Sequence, residues 1–218
     1  MNDIITIDGP AGSGKSTISR LLAKKIGAIY LDTGAMYRAV ALAAKRCQIP
    51  LDDGIGLKKL CASLNIHFDS GSDPPRIFLG SEDVSLAIRS QEIDMAASTV
   101  SAVKEVREAM TGLQRRMAKT TDIVAEGRDM GSVVFPEARC KIFLTASVQA
   151  RAERRYKERV KRGEDVDLAF VESELKKRDQ QDQTRALAPL RPSHNAIIID
   201  STGLSVEQAL KKIMGCLK

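Results

Sequence analysis

The sequence predicts an α/β fold, a parallel sheet with helices on both faces, and three observations carry that prediction. Short apolar runs alternate with stretches of helical periodicity, a glycine loop joins the first run to the first helix, and 218 residues suffice for one such core with a small insertion. Two large independent domains would not fit. Ile4-Ile5-Thr6-Ile7 reads as a buried strand, and Ile18, Leu21, Leu22 and Ala23 recur at helical spacing behind it. Between them stand Gly9-Pro10-Ala11-Gly12-Ser13-Gly14-Lys15-Ser16 and then Thr17, with the glycine, lysine and hydroxyl spacing of a phosphate-binding loop. Glycines let successive N–H groups turn inward toward polyphosphate oxygens at the positive end of the helix. Lys15 would reach the β- and γ-phosphates, and the Ser16 hydroxyl would ligate Mg²⁺, held mostly by the nucleotide and water. A glycine turn without ligand would not need strand, motif and helix to agree, as they do here.

Gly27 reads as a helix stop, and Ala28-Ile29-Tyr30-Leu31 as a second strand ending at Asp32-Thr33-Gly34. A helix follows with Met36, Val40, Ala43, Ala44 and Cys47 on one face. Tyr37 and Arg38 sit near its positive end, where an arginine runs against the macrodipole, so Arg38 is either an ordinary surface arginine or one placed for an anion. Leu57, Leu60, Cys61 and Leu64 make a short helix. Asn65–Asp69 and Arg76–Leu79 then alternate around a turn-rich Ser70-Gly71-Ser72-Asp73-Pro74-Pro75, an antiparallel hairpin that suits an insertion. His67, in that hairpin, has no second ligand at metal spacing and reads as structural. A long amphipathic helix buries Val103, Val106, Met110, Leu113 and Met117, with Ser98 and Arg107 outside that stripe.

Asp122-Ile123-Val124-Ala125 is the third core strand and runs into Glu126-Gly127-Arg128-Asp129-Met130-Gly131. Charges crowded at the carboxyl end of a strand lie where open α/β sheets bind ligands. Lys141-Ile142-Phe143-Leu144 is a fourth strand. The next helix carries Arg151, Arg155 and Arg159 as an i, i+4 ladder, whose like charges repel by roughly 0.2–0.5 kcal/mol per pair unless anions offset them. Glu153 and Glu158 supply some offset, so a solvated face stays open as a reading. A turn at Arg162-Gly163-Glu164-Asp165 leads to a second charged helix through Glu172, Leu175 and Arg178, a pair that suits a mobile cover. Ala196–Asp200 is a fifth strand, with Ser201-Thr202 as a candidate cap before a last helix from about Val206.

Composition narrows the partners. Thirty-four Lys+Arg against 28 Asp+Glu give a formal net charge of +6, which suits an anionic ligand, while 4% aromatic content and no Trp leave few platforms for stacking nucleic-acid bases. Cys47, Cys61, Cys140 and Cys216 form no metal or redox pair and read as buried small hydrophobes. The first strand starts too early for a charged leader plus signal segment, and no stretch is long enough to span a bilayer, so the expectation is a soluble protein of a reducing compartment.

A phosphate loop defines a nucleoside-triphosphate site without defining a reaction. No Asn-Lys-x-Asp guanine-reading motif follows, and the third strand ends in Glu126-Gly127-Arg128-Asp129 rather than the Asp or Asp-Glu of motor ATPases. Arg38, Arg107, Arg128, Arg178 and Arg185 all fall near strand ends or helix termini. Guanidinium forks bind phosphate oxygens two at a time, which favours phosphoryl transfer to an anionic acceptor.

Over nearly its whole length the chain resembles the bacterial-type cytidylate kinases of the nucleoside-monophosphate kinase group. The resemblance rests on Ile5–Pro10 leading into the loop, Leu31-Asp32-Thr33-Gly34-Ala35-Met36-Tyr37-Arg38, Gly127-Arg128-Asp129-Met130-Gly131-Ser132-Val133-Val134-Phe135-Pro136, Lys141–Leu144, Arg178-Asp179 and Arg185-Ala186-Leu187-Ala188-Pro189-Leu190. It implies a P-loop kinase fold with a five-stranded parallel core over 1–34, 113–150 and 186–218. An inserted monophosphate-binding domain would span 35–112 with its small antiparallel sheet around 64–84, and a helical lid 151–185. Residue by residue it implies ATP contacts from Gly9 through Thr17, and cytosine reading by Ser98, Arg107 and Asp129. Arg38, Arg128 and Arg185 would hold the acceptor phosphate, Asp182 would lie at the sugar, and Thr33 and Tyr37 would line the site. Arg178 would serve base or phosphate. Thr33 stands where some relatives have serine, which keeps the hydroxyl. Lys15, Arg128 and Arg185 would carry catalysis, and Arg151, Arg154, Arg155 and Arg159 are candidates for the cover.

The expected reaction is ATP-Mg²⁺ with CMP or dCMP giving ADP and CDP or dCDP, in the cytoplasm, by a monomer without nucleic-acid or membrane partners. A kinase of another small acceptor such as UMP and a nucleotide-dependent RNA-binding switch are the alternatives.

Overall fold

The computed structural model of the chain describes residues 2–69 and 71–217. Its core strands are β1 (Ile4–Asp8), β2 (Ile29–Asp32), β6 (Ile123–Gly127), β7 (Cys140–Thr145) and β8 (Ile197–Asp200). They form one five-stranded sheet in the order β2-β6-β1-β7-β8, with every pairing parallel. The inner strands are largely apolar on both faces because both faces are covered, whereas Ile29 of β2 and Ile197 and Ile198 of β8 are exposed at the edges. In β6, Val124 joins the cluster of Ile5, Ile7, Ile18, Leu22, Ile142 and Leu144 under α1 (Lys15–Ile26) and α8 (Val206–Gly215). Its neighbours Ile123 and Ala125 face the larger cluster on the other side.

That larger cluster is built by α2 (Thr33–Arg46), α3 (Gly54–Ser63), α4 (Gln91–Val100) and α5 (Lys104–Met117), together with a separate three-stranded antiparallel sheet. The small sheet comprises β3 (Ile66–Asp69), β4 (Arg76–Leu79) and β5 (Glu82–Asp83). The hairpin forms where the sequence predicts it, and His67 stacks on Phe78 across it. The third strand is an addition to the sequence reading. At two residues, both acidic and exposed, β5 carries no alternation to detect.

After β7, α6 (Val148–Lys161) and α7 (Leu168–Thr184) fold back on each other around Ala152, Val171 and Leu175, and Ala11 of the glycine loop packs against this small core. Ser147 and Asp167 cap the two helices through the N–H groups of Ala150 and Phe170.

Three readings need correction. Cys47 is exposed and Cys216 only half-buried, because they sit at the C-terminal ends of α2 and α8; Cys61 and Cys140 are buried. Arg107 lies on the buried side of α5 with Val106 and Met110, since a carboxylate waits there for it. The cap of α8 is Ser205, in a reciprocal capping box with Gln208. Ser201 instead donates its hydroxyl to the Ser13 carbonyl at 3.1 Å, bracing the glycine loop.

Candidate functional site

Parallel strands deliver their carboxyl ends to one edge, and Asp8, Asp32 and Glu126 arrive there together with the glycine loop. Gly9 holds φ at +151°, and a Cβ on it would stand 2.0 Å from the Leu144 carbonyl oxygen, so only glycine lets the loop leave β1 this close to β7. Gly14 caps α1 in the left-handed region at φ +92° without a side-chain bond, and no acid occupies the first turn. The orphan N–H groups at that helix start are therefore available to an anion. Lys15 arches back to donate to the Pro10 carbonyl at 2.6 Å and lies 3.5 Å from the Ser13 hydroxyl. Burial, reinforced by the Arg128 charge, drives its pKa down to about 7 against the pull of Glu126 and Asp8. A buried amine that reluctantly holds a proton is primed for a polyanion. Ser16 and Thr17 are exposed at the mouth of the loop.

On the neighbouring strands, Asp32 caps α2 by accepting from Ala35 N at 2.8 Å and pairs with Arg38 at 3.4 Å. The Thr33 hydroxyl donates to the Glu126 carbonyl at 2.6 Å, and the Tyr30 hydroxyl to the Glu126 carboxylate. Burial raises the Glu126 pKa, with the nearby Asp32 charge adding to it and Lys15 opposing.

Beyond β6 the chain enters a five-residue π-helical turn, Met130–Val134, whose N-cap is Asp129. The Asp129 carboxylate, 2% exposed, forms an ion pair with Arg107 from α5 and lies 3.7 Å from the Arg185 guanidinium. Arg107 also donates to the Ser101 carbonyl at 3.3 Å, and its guanidinium sits 6.0 Å from the centre of the Tyr37 ring. Arg128 binds Asp182 of α7 at 2.9 Å, while burial opposes the Asp182 charge less than Arg128 and Arg178 support it, so its pKa falls. Among the described residues, buried polar atoms without a partner include Tyr37 Oη, Arg38 Nε, Arg178 Nε and Arg185 Nη2. Tyr37 Oη, Arg38 Nε and Arg178 Nε thus keep hydrogen-bonding capacity without a protein partner, while Arg185 Nη2 faces Asp129 Oδ1 at 3.7 Å without a hydrogen bond. Buried polar groups are nearly always satisfied, so these atoms are candidates for a ligand's hydrogen bonds. Burial pushes the Tyr37 hydroxyl up to about 12, which keeps it a neutral donor.

Contacts bring Tyr37, Arg107, Asp129 and Arg185 into one group and Arg128 and Asp182 into another, Arg38 pairs with Asp32 and Thr33 bonds Glu126, and the Arg128 and Arg178 charges are felt at Lys15. Ser98 stands a little apart, with its hydroxyl 3.4 Å from Gln181 of α7; it reaches the first group through Ser101, whose hydroxyl donates to the Ser98 carbonyl at 2.8 Å and lies 3.4 Å from Arg185.

The four cover arginines diverge. Arg151, buried, donates to Ala11 O at 3.1 Å and pairs with Asp179 at 2.7 Å; Arg154 donates to Ser201 O at 2.5 Å and lies 3.4 Å from Ser13 O. Both border the phosphate loop. Arg155 pairs with Asp94 of α4, which also lies 3.6 Å from Arg38. Arg159 points away, into Glu164, Glu174 and Gln91 at 2.7, 2.8 and 3.1 Å.

The sequence reading left Asp8, Tyr30, Asp94, Ser101 and Glu126 without roles. Asp8 and Glu126 carried a signal, an acid at the closing end of an otherwise apolar strand. Asp94 and Ser101 carried none, since their partners come from distant elements.

The chain is similar to known proteins in sequence and in fold. The family model described as cytidylate kinase matches residues 5–218. A cytidylate kinase of Citrifermentans bemidjiense is 46% identical over 215 residues, covering 99% of this chain and 92% of its own. One from Pseudomonas syringae pv. tomato is 47% identical over 213 residues, covering 97% and 93%. Among solved structures, a shikimate kinase from Bacteroides thetaiotaomicron superposes with a TM-score of 0.52 at 12% identity over 99% of this chain and 98% of its own. An uncharacterized protein from Eubacterium ventriosum does so with a TM-score of 0.56, also at 12% identity and with 99% and 98% covered. At that identity the two structures speak for the fold alone.

Proposed function

The chain belongs to the cytidylate kinase family, and we propose that it transfers the terminal phosphoryl group of ATP to CMP or dCMP, giving ADP and CDP or dCDP. The observation that carries the acceptor's identity is the buried Asp129 carboxylate held between Arg107 and Arg185. A carboxylate accepts from the exocyclic amine of cytosine, as it does in groove recognition. Uracil presents a carbonyl in that place, and a buried acceptor facing it loses its donor, a mismatch that discriminates strongly. Arg107 supplies a donor for the ring carbonyl edge, and Ser98 closes the base site from α4. Arg38, Arg128 and Arg185 receive the monophosphate, Asp182 the ribose, and Tyr37 and Thr33 line the pocket. Arg178, which feels the Arg128 and Asp94 charges, joins the phosphate side.

The acceptor oxygen is already largely anionic at neutral pH, because the second phosphate pKa is about 6. No general base is required. The backbone N–H groups of Gly9 through Thr17 and the Lys15 ammonium hold the β- and γ-phosphates, and Arg128 and Arg185 bring the acceptor oxygen in line and disperse charge in a loose transition state. The exposed Ser16 hydroxyl, with Asp32 and Glu126 at adjacent strand ends, offers the hard oxygen donors that suit Mg²⁺. When bound there with ATP, Mg²⁺ neutralises charge on the β- and γ-phosphates. In this reading 35–112 forms the monophosphate-binding part and 151–185 the lid. Arg151 and Arg154 brace the phosphate loop from the lid, and closure over the site excludes water. No helix among the described residues is long and apolar enough to cross a membrane. In this reading the enzyme works as a monomer in the cytoplasm.

A coupled ADP-release assay across CMP, dCMP, UMP, AMP, GMP and dTMP tests the proposal. Fastest turnover with CMP or dCMP is expected; preference for another base would sink it, and ADP release indifferent to any monophosphate would point to a hydrolytic switch. Asp129→Ala should lower kcat/KM for CMP by about a hundredfold, two lost hydrogen bonds to a charged group, and should erase the preference over UMP.

A further inference from the structure

We propose that Asp8 is a positioning residue that frees Asp129 for the base, by capping from β1 the helical turn that Asp129 would otherwise cap with its own carboxylate. This rests on the reading of Asp129 as the cytosine acceptor. The first N–H groups of any helical turn lack partners within it, and an aspartate at the N-cap position ordinarily folds its side chain back to accept from them. Asp129 occupies the N-cap of the Met130–Val134 turn and makes no such bond. Instead Met130 N donates to Asp8 Oδ1 at 2.9 Å and Gly131 N to Asp8 Oδ2 at 2.8 Å. Both oxygens of one carboxylate are spent on a turn 122 residues away in sequence from Asp8 to Met130.

The consequence is visible at Asp129, whose oxygens face Arg107 and Arg185 rather than its own backbone. Two negative charges compete for one set of amides, and the winner sends the other toward the cradle. Asp8 is 3% exposed, and its pKa rises to about 6 chiefly through burial; the Met130 and Gly131 N–H groups and Lys15 hold it down while the Asp129 charge pushes it up. That mutual repulsion is a further reason for the Asp129 carboxylate to turn away. The Asp8 backbone pairs in register with Gly127 of β6 and leads into Gly9, and a substitution of the side chain leaves both of these in place.

Asp8→Asn keeps the shape but presents one acceptor oxygen and an NH₂ group that cannot accept, leaving one turn amide unpaired and removing the charge that repels Asp129. The expected results are a Kd for CMP raised about tenfold and a CMP-over-UMP ratio of kcat/KM reduced about tenfold, the weight of roughly one charged hydrogen bond. The Kd of a nonhydrolysable ATP-Mg²⁺ analogue stays within about twofold, a margin smaller than one such bond. In ¹⁵N spectra the Met130 and Gly131 amides lose their hydrogen-exchange protection. Equal weakening of CMP and the ATP analogue would show a merely structural residue of the phosphate loop and overturn the proposal, as would unchanged CMP discrimination. If Asp8→Asn fails to fold, Gly131→Ala probes the same turn, because the new Cβ would stand 2.9 Å from Thr6 Oγ1 and 2.8 Å from Ser193 Oγ and displace it. It must then reproduce the loss of discrimination. An Asp129→Ala variant that keeps its cytosine preference would defeat the base-reading itself; one that loses it, beside an unaffected Asp8→Asn, would defeat only the role of Asp8.

Discussion

Removing one member of the buried Arg107–Asp129 pair should cost more than removing both. Arg107→Met leaves the Asp129 carboxylate in a dry site with only the more distant Arg185, and an uncompensated buried charge costs about 3–5 kcal/mol. Adding Asp129→Asn to that variant removes the orphaned charge, so the double variant should recover about 1–3 kcal/mol in urea unfolding, a coupling typical of residues in contact. Losses that simply add would show the pair to be uncoupled. At this scale the sequence shows arginines and does not show their partners. Arg38, Arg107, Arg128 and Arg185 stood out as cations near strand ends, where solvent and ligands are found. Asp94 did not, because its meaning lies in Arg38 and Arg155, which α2 and α6 bring to it from opposite sides. Asp8 shows in the sequence as an acid closing an apolar strand, but its partners do not show, because they are backbone amides that any sequence would possess.

Among elements, the α6–α7 pair is the cover proposed above. Its arginine ladder reads in sequence as self-repulsion needing anions or as a solvated face, and the fold supplies the anions from elsewhere: Asp179 for Arg151, Asp94 for Arg155, Glu164 and Glu174 for Arg159. Sequence spacing shows only the neighbours on one helix, so this resolution required the packing. Arg159 joins α6, its following turn, α7 and, through Gln91, the start of α4. Arg159→Ala should therefore loosen the cover without touching the acceptor cradle. ADP release in the absence of CMP should rise several-fold as water enters. Limited proteolysis should speed up around residues 162–166, and the KM for CMP should move less than about threefold, under one hydrogen bond's worth. A variant as tight to protease and as free of leakage as the parent would remove Arg159 from any such role. The hairpin and the core helices were legible because each carries its own periodicity. The turn at Met130–Val134 was not, since five residues of mixed polarity have no period to read.

For the whole molecule, parallel order followed from the alternation of apolar runs with helices, and the glycine loop fixed which edge would hold the site. What sequence could not convey is how burial redistributes charge across that edge, and Lys15 shows it most clearly. Its pKa of about 7 lies well below the usual 10.5, first through burial and then through Arg128. In the unfolded chain the amine keeps its proton up to the usual value, so between pH 7 and 10.5 the unfolded state binds more protons and the stability of the free protein rises with pH. Below pH 7 the folded protein carries the full cost of a buried ammonium. Lys15→Met, a similar volume without charge, should therefore be more stable than the parent at pH 6.5 by on the order of a few kcal/mol in urea unfolding, and the gap should close as the pH approaches 10. Triphosphate reverses the balance, because its negative charge favours the ammonium form. ATP-Mg²⁺ binding at pH 8.5 should take up close to one proton, since a group of pKa about 7 is then mostly neutral in the free protein. Calorimetry in two buffers of different ionisation enthalpy measures that uptake, and Lys15→Met should abolish it along with most of the turnover. Binding without proton uptake would mean that Lys15 is already charged in the free protein, and that the neighbouring Glu126 and Asp8 outweigh its burial.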